Sequence, residues 1–380
     1  MNEERARARI EAAVQQVVAS GTETGVQVAV IKNGQVIADA VAGTAHPATG
    51  AAVSGGTLFY AASTAKGVAS SVAHVLAERG ELRYDLRAAD VWPEFAARGK
   101  YAVTLRHVLL HTAGVPGLPA DTTVADLCDW DRMCAVLADE EPWWEPGTRF
   151  GYHAKTFGFL LGEILRRATG RTISTLLREV ITGPLGIEDE VCFVVPPRQL
   201  ARVARQVAPE GIAPPAPEPG SSQSRAMPRG VLPDAGYANC ADVLTADIPA
   251  EGTMTARGVA RMYSALLGHV DGVRLVSPER LAQMATVAFT GMDEVMGFPT
   301  SWAFGYSPNR PGGVLSHRGS TFGMMGMNGS AAYADIDSGV AVAVMRNRFT
   351  AGDFSMVTLI DQIVADTLSQ PGPARHVSRG

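Results

Sequence analysis

Strand patterns at both ends of this chain, with helix patterns between them, leave few folds open. Near the N-terminus, Val26 to Ile31 and Val36 to Ala42 are largely apolar runs joined through Lys32-Asn33-Gly34-Gln35. Asn-Gly between two such runs is a strong hairpin signal. From residue 302 onward the strand pattern returns. Trp302 to Tyr306, Val314 to His317, Gly326 to Ala334 and Val340 to Asn347 are short runs punctuated by Gly or Pro, and Phe354 to Leu368 reads as a closing helix. Between them, Phe157 to Ala168, Ile173 to Val180 and Ala256 to Leu267 follow helical spacing, with Leu105 to Leu110 a shorter case. The expected fold is α+β. One central antiparallel sheet is built from both termini in an α/β sandwich (1–66 and 291–380), and a mostly helical domain is inserted between them (67–290).

Composition narrows the function. An apolar fraction of 46% with 19% charged residues is that of a soluble globular protein. A net charge of −5 without a basic run argues against a nucleic-acid partner. The opening MNEERARARIEAAVQQVVAS is charged from its third residue and reads as an amphipathic helix rather than a secretory signal. No run of about 18 apolar residues predicts a membrane span. A cytoplasmic enzyme without membrane attachment is the expectation. Cys128, Cys134, Cys192 and Cys240 lack metal-type spacing, so free thiols are expected, with no metal and no cofactor. The proline-rich stretch from about 208 to 236 reads as a long irregular loop of the kind that often borders a site.

The strongest chemical signal is Ser63-Thr64-Ala65-Lys66. Leu58 to Ala62 forms an apolar approach. Gly67 to Arg79 then reads as a helix, with Val68, Val72, Val75 and Leu76 on one face and Gly80 as its stop. A serine and a lysine three apart at a helix start share a face. The hydroxyl suits a nucleophile and the amine suits a proton acceptor, while the helix N-terminus favours developing negative charge. The same four residues also describe a serine N-cap followed by a surface lysine. Lysine scarcity favours the chemical reading. The chain has only four lysines (32, 66, 100 and 155) among 33 basic residues, and arginine cannot act as a base.

Other segments are weaker taken singly. Glu145-Pro146-Gly147-Thr148-Arg149-Phe150-Gly151-Tyr152-His153-Ala154 is a turn-rich loop whose tyrosine could point at the first helix or simply pack. Ser316-His317-Arg318-Gly319-Ser320 ends a strand pattern, where a glycine lets a substrate approach the strand edge. His111 in His111-Thr112-Ala113-Gly114 reads as a structural hydrogen-bonding residue at a helix end. No Gly-x-Ser-x-Gly elbow, Walker loop or His-Glu-x-x-His is present.

Taken in order, Ser63-x-x-Lys66, Tyr152 and His317-x-Gly319 resemble the serine β-lactamase and penicillin-binding-protein superfamily. The likeness is to its class C-like branch, which holds family VIII carboxylesterases and acyltransferases. Leu105-Arg106-His107-Val108-Leu109-Leu110-His111-Thr112-Ala113-Gly114, Trp144-Glu145-Pro146-Gly147 and Pro184-Leu185-Gly186-Ile187 also match its landmarks. The resemblance implies a β-lactamase/transpeptidase-like fold. It implies Ser63 as acylated nucleophile, Lys66 and Tyr152 as its partners, and His317 in the place of the strand lysine. It further implies Gly319 at the substrate-binding strand and an oxyanion hole from the N–H groups of Ser63 and Ser320. Ala154 stands where β-lactamases carry asparagine, which argues against β-lactam substrates. The expected activity is hydrolysis of a small-molecule ester, amide or thioester. Transfer of the acyl group to an amine or alcohol is the alternative. Whether Lys66 or Tyr152 takes the serine proton stays open at this level.

Overall fold

The computed structural model describes residues 2–211, 216–308 and 320–368. The strands in chain order are β1 (Gly25–Lys32), β2 (Gln35–His46), β3 (Ala51–Ala52), β4 (Phe59–Tyr60), β5 (Val191–Cys192), β6 (Thr253–Met254), β7 (Phe289–Met292), β8 (Pro299–Trp302), β9 (Thr321–Met325), β10 (Ala331–Asp335) and β11 (Val340–Arg346). Five helices frame the argument: α1 (Asn2–Ala19), α2 (Thr64–Glu78), α3 (Thr156–Thr169), α4 (Ala256–Leu267) and α5 (Ser355–Leu368).

The main sheet has the order β3-β2-β1-β11-β10-β9, so strands from the two ends of the chain meet at its centre. There β1 and β11 run antiparallel, with Val26 opposite Arg346 and Lys32 opposite Val340. Asn33 and Gly34 take positive φ of 50° and 82°, the double left-handed turn that a two-residue hairpin needs. Alternation splits the central strands by face. Val28, Val30, Val342 and Val344 bury against α1 and α5 through Ile10, Val14, Val357 and Ile360. Ala29, Ala341 and Ala343 point the other way, and these small residues let α4 lie close on the sheet. The core on that side runs on through α2 and α3.

Several sequence expectations need correction. The strand expected over Trp302 to Tyr306 ends at Trp302, because Gly305 turns with φ +77° and donates its N–H to Leu109 O at 2.9 Å. Gly326 to Gly329 is a turn rather than strand, and β10 starts at Ala331. The mostly helical middle also holds short strands, β5 and β6 joining β4 in one small sheet and β7-β8 forming another at its edge. The helix after Ser63 starts at Thr64, earlier than expected. Ile173 to Val180 is an α-helix only to Leu177, and a π-helix continues over Arg178–Thr182. The described part of 208–236 is not irregular throughout. Ser221 and Asp234 cap short helices at Ser222–Ala226 and Ala235–Ala238. Val314 to His317 lies outside the described residues. Among the described residues no helix is long and apolar enough to cross a membrane.

Candidate active site

Ser63 is presented by a short, constrained approach. β4 pairs with β6, and Ala61 then donates its N–H to Gly252 O at 2.8 Å. Ala62 takes φ +46°, a costly conformation for a residue with a Cβ, and the chain enters α2 directly after it. Ser63 makes no side-chain cap bond. Its Oγ instead accepts a hydrogen bond from Lys66 Nζ at 2.9 Å. Lys66 is 1% exposed, so the alternative of an N-cap and a surface lysine fails on both residues.

Lys66 Nζ also donates to Ala250 O at 3.2 Å and lies 5.2 Å from the centre of the Tyr152 ring. Burial lowers its pKa to about 7; Glu251 opposes that shift and the Lys155 cation adds to it. Tyr152 donates its backbone N–H to Asp293 Oδ1 at 3.1 Å and packs on His111 and Trp302. The Ser63 hydroxyl near its phenol favours the phenolate, but burial dominates and pushes its pKa up. Lys66 is thus the more easily deprotonated partner of the two.

The nearby imidazoles stay neutral. His153 Nε2 accepts from Val115 N–H at 3.1 Å, which leaves Nδ1 to donate to Gly151 O at 2.6 Å, and burial lowers its pKa to about 4. His111 Nδ1 accepts from His153 N–H at 3.0 Å, and burial takes its pKa well below the usual range. His111 therefore holds the loop that carries Tyr152.

Ser320 does not reach Ser63. It stands before the first residue of β9, where its Oγ bonds to Asp335 Oδ2 at 2.9 Å and its carbonyl accepts from Ile336 N–H at 3.0 Å. Strand geometry puts it roughly 16 Å from the Met325 end of β9. That other end meets the Ser63 segment. Asn328 Nδ2 donates to Tyr60 O at 2.8 Å, and Thr64 Oγ1 donates to Ser330 O at 3.3 Å. A Cβ on Gly326 would lie 2.4 Å from Ala61 O, so only glycine allows this approach. Met327 follows it and lines the same cavity as Ser63. Among the described residues, neither the Ser63 N–H nor the Met327 N–H has an acceptor. His317 and Gly319 lie outside the described residues.

Ser63, Tyr152 and Ala154 open on a cavity of about 510 Å³. Its apolar wall includes Met227, Met296, Met324, Met325 and Met327. Sequence reasoning missed the three charged members of the lining: Asp293, Lys155 and Glu251. The lysine scarcity that singled out Lys66 applies equally to Lys155, three residues after Tyr152. Nothing local marks Glu251 or Asp293.

An antiparallel sheet carrying helices, with a serine and a buried lysine meeting at a helix start beside it, is the architecture of a serine-hydrolase class of enzymes. The β-lactamase family model matches residues 10–365, and the chain belongs to that family. A curated relative, the esterase/β-lactamase LipL of Mycobacterium tuberculosis, is 32% identical over 346 residues, covering 85% of this chain and 77% of LipL. Among solved structures, a family VIII carboxylesterase superposes with TM-score 0.84 at 31% identity, covering 94% of this chain and 96% of the other. A penicillin-binding-protein homologue from Caulobacter crescentus gives TM-score 0.84 at 34% identity, with 94% and 96% covered.

Proposed function

We propose that the protein is a serine esterase that forms an acyl-enzyme at Ser63, with Lys66 as the base. The observation that carries this reading is the 2.9 Å bond between Lys66 Nζ and Ser63 Oγ, made by a buried amine whose pKa is lowered to about 7. At neutral pH a large fraction of such an amine is unprotonated and can accept the serine proton. As Oγ bonds to the ester carbon, the carbonyl oxygen gains charge, and the N–H groups of Ser63 and Met327 are the free donors beside it. Each donor of this kind contributes about 3 kcal/mol to transition-state stabilisation. Met327 takes the place that the sequence resemblance gave to Ser320.

Collapse of the tetrahedral adduct expels the alcohol, which takes a proton from the Lys66–Tyr152 pair. Water then attacks the acyl-serine by the same route in reverse. The relatives named esterase and carboxylesterase support an ester as the acyl donor. The apolar cavity wall suits an apolar acyl group and favours an alcohol or amine acceptor over water where such an acceptor binds. Transfer is therefore the second reading.

The test is intact-mass measurement after treatment with a fluorophosphonate probe, followed by peptide mapping. One adduct on Ser63 is expected, and none on folded Ser63→Ala protein. Labelling elsewhere, or ester turnover that persists in Ser63→Ala, would sink the proposal.

A further inference from the structure

Two buried charges in the cavity wall take no direct part in the bond changes above. Lys155 Nζ and Glu251 Oε1 form an ion pair whose side chains are almost wholly withdrawn from solvent. Desolvating such a pair is costly, and further bonds must offset it. Tyr60 donates its hydroxyl to Glu251 Oε2 at 2.8 Å, and Lys155 Nζ lies 4.1 Å from the centre of the Tyr237 ring.

The pair joins the two segments that hold the catalytic side chains. Lys155 ends the loop that carries Tyr152 and stands at the start of α3. Glu251 sits between Ala250, whose carbonyl accepts from Lys66, and Gly252, whose carbonyl accepts from Ala61. Packed around Lys66 are Ser63 from its own helix and Tyr152 and Lys155 from the 150–155 loop. Glu251 comes from the 247–252 segment, with neutral His111 behind. Asp293 stands beyond Tyr152, its Oδ1 taking the N–H groups of Tyr152, Val295 and Met296. The charges that act directly on Lys66 are Glu251, which favours its ammonium form, and Lys155, which opposes it.

We infer that Lys155 and Glu251 are a matched couple of positioning residues that balance the field at Lys66, so that Ser63 is activated near neutral pH. This inference rests on Lys66 being the base. Loss of either charge leaves the other uncompensated, and the two losses act in opposite senses. In Lys155→Met, the lone Glu251 carboxylate stabilises the Lys66 ammonium, so the acidic limb of the rate profile moves to higher pH. In Glu251→Gln, Lys66 loses the carboxylate that favours its ammonium form, so the limb moves to lower pH.

The experiment is kcat/KM for a p-nitrophenyl ester from pH 5 to 9, measured on wild type, both single variants and the Lys155→Met/Glu251→Gln double variant. Fluorophosphonate labelling of Ser63 is followed across the same range. Midpoints about one pH unit apart on opposite sides of wild type are expected, with the double variant returned close to wild type. Lys155→Arg keeps the charge and should keep the midpoint, which gives a second readout if Lys155→Met folds poorly. Parallel losses of rate with unmoved midpoints, or shifts of the same sign, overturn the charge couple and leave the pair a structural brace. Failure of wild type to label at Ser63 overturns the acyl-enzyme reading itself.

Discussion

Asn328 donates its side-chain amide to the carbonyl of Tyr60 at 2.8 Å, three residues before Ser63. That bond ties the turn after β9 to the approach to Ser63, and it brings Gly326 against Ala61. The missing side chain at Gly326 is what allows the two segments to meet.

Gly326→Ala should therefore impair catalysis far more than its size suggests. The added Cβ would stand 2.4 Å from Ala61 O and 3.1 Å from Thr64 Oγ1, so the turn must move away from Ser63. A stability loss of about 1–3 kcal/mol is expected. A fall in kcat of about 10²-fold is also expected, because a donor displaced by about 1 Å no longer serves the oxyanion. Thermal melts beside ester kinetics would check it. A stable variant with unchanged kcat would remove this turn from the site.

The acidic limb of the wild-type rate profile should have its midpoint near pH 7. Burial lowers the Lys66 pKa to about 7, and only the neutral amine can accept the serine proton. Activity thus rises as pH increases through this value and falls below it. Lys66→Arg should be nearly as damaging as Lys66→Ala, about 10³-fold in kcat/KM, since arginine stays charged. A Lys66→Arg protein with most of the wild-type rate would make Lys66 an electrostatic support only.

The strands at both ends of the chain were legible because they are short, largely apolar runs set off by turn residues, with an Asn-Gly turn joining the first two. The Ser63–Lys66 pair was legible because the two residues lie within one helical turn of each other. The third element was not legible. The turn that reaches Ser63 is Gly326-Met327 rather than the stretch at Ser320, and its contact with Ala61 and Tyr60 spans some 265 residues of sequence. No local pattern encodes which end of β9 faces Ser63. The register of β9 against β10 decides it, with Thr321 opposite Asp335 and Met325 opposite Ala331. Glu251 and Asp293 escaped for the same reason: each is an ordinary acidic residue until the fold brings it to Lys155 or Tyr152.

Asp293 offers a test that separates shape from charge. One oxygen, Oδ1, accepts the N–H groups of Tyr152, Val295 and Met296 at 3.1, 2.9 and 3.0 Å. Asp293→Ala strips all three of their acceptor. It should cost about 2–4 kcal/mol in stability and loosen Tyr152, lowering kcat. Asp293→Asn keeps a carbonyl oxygen there and should recover most of both. Equal damage from Ala and Asn, read by chemical denaturation and ester kinetics, would mean that the negative charge matters more than the three bonds.

β-Lactam turnover should be slow beside ester cleavage. Ala154 lines the cavity where a side-chain amide would grip an acylamino group, and a lost hydrogen bond of that kind costs about 1–3 kcal/mol. Nitrocefin compared with p-nitrophenyl butyrate under the same conditions is the measurement. A nitrocefin kcat/KM rivalling that of the ester would contradict it.

The methionine-lined wall leads to a last expectation, on acyl chain length. Met227, Met296, Met324, Met325 and Met327 give the cavity an unbranched, adaptable surface over about 510 Å³. Each methylene that reaches this wall gains up to about 0.8 kcal/mol, or about fourfold in kcat/KM when the contact persists in the transition state. The p-nitrophenyl series from acetate through butyrate and hexanoate to octanoate should therefore rise before it levels off. Met324→Ser, which places a hydroxyl in that wall, should flatten the rise while leaving acetate turnover much less affected. A series that is flat or falling from acetate onward would mean that the acyl group points out of the cavity and that the methionines receive the alcohol portion instead.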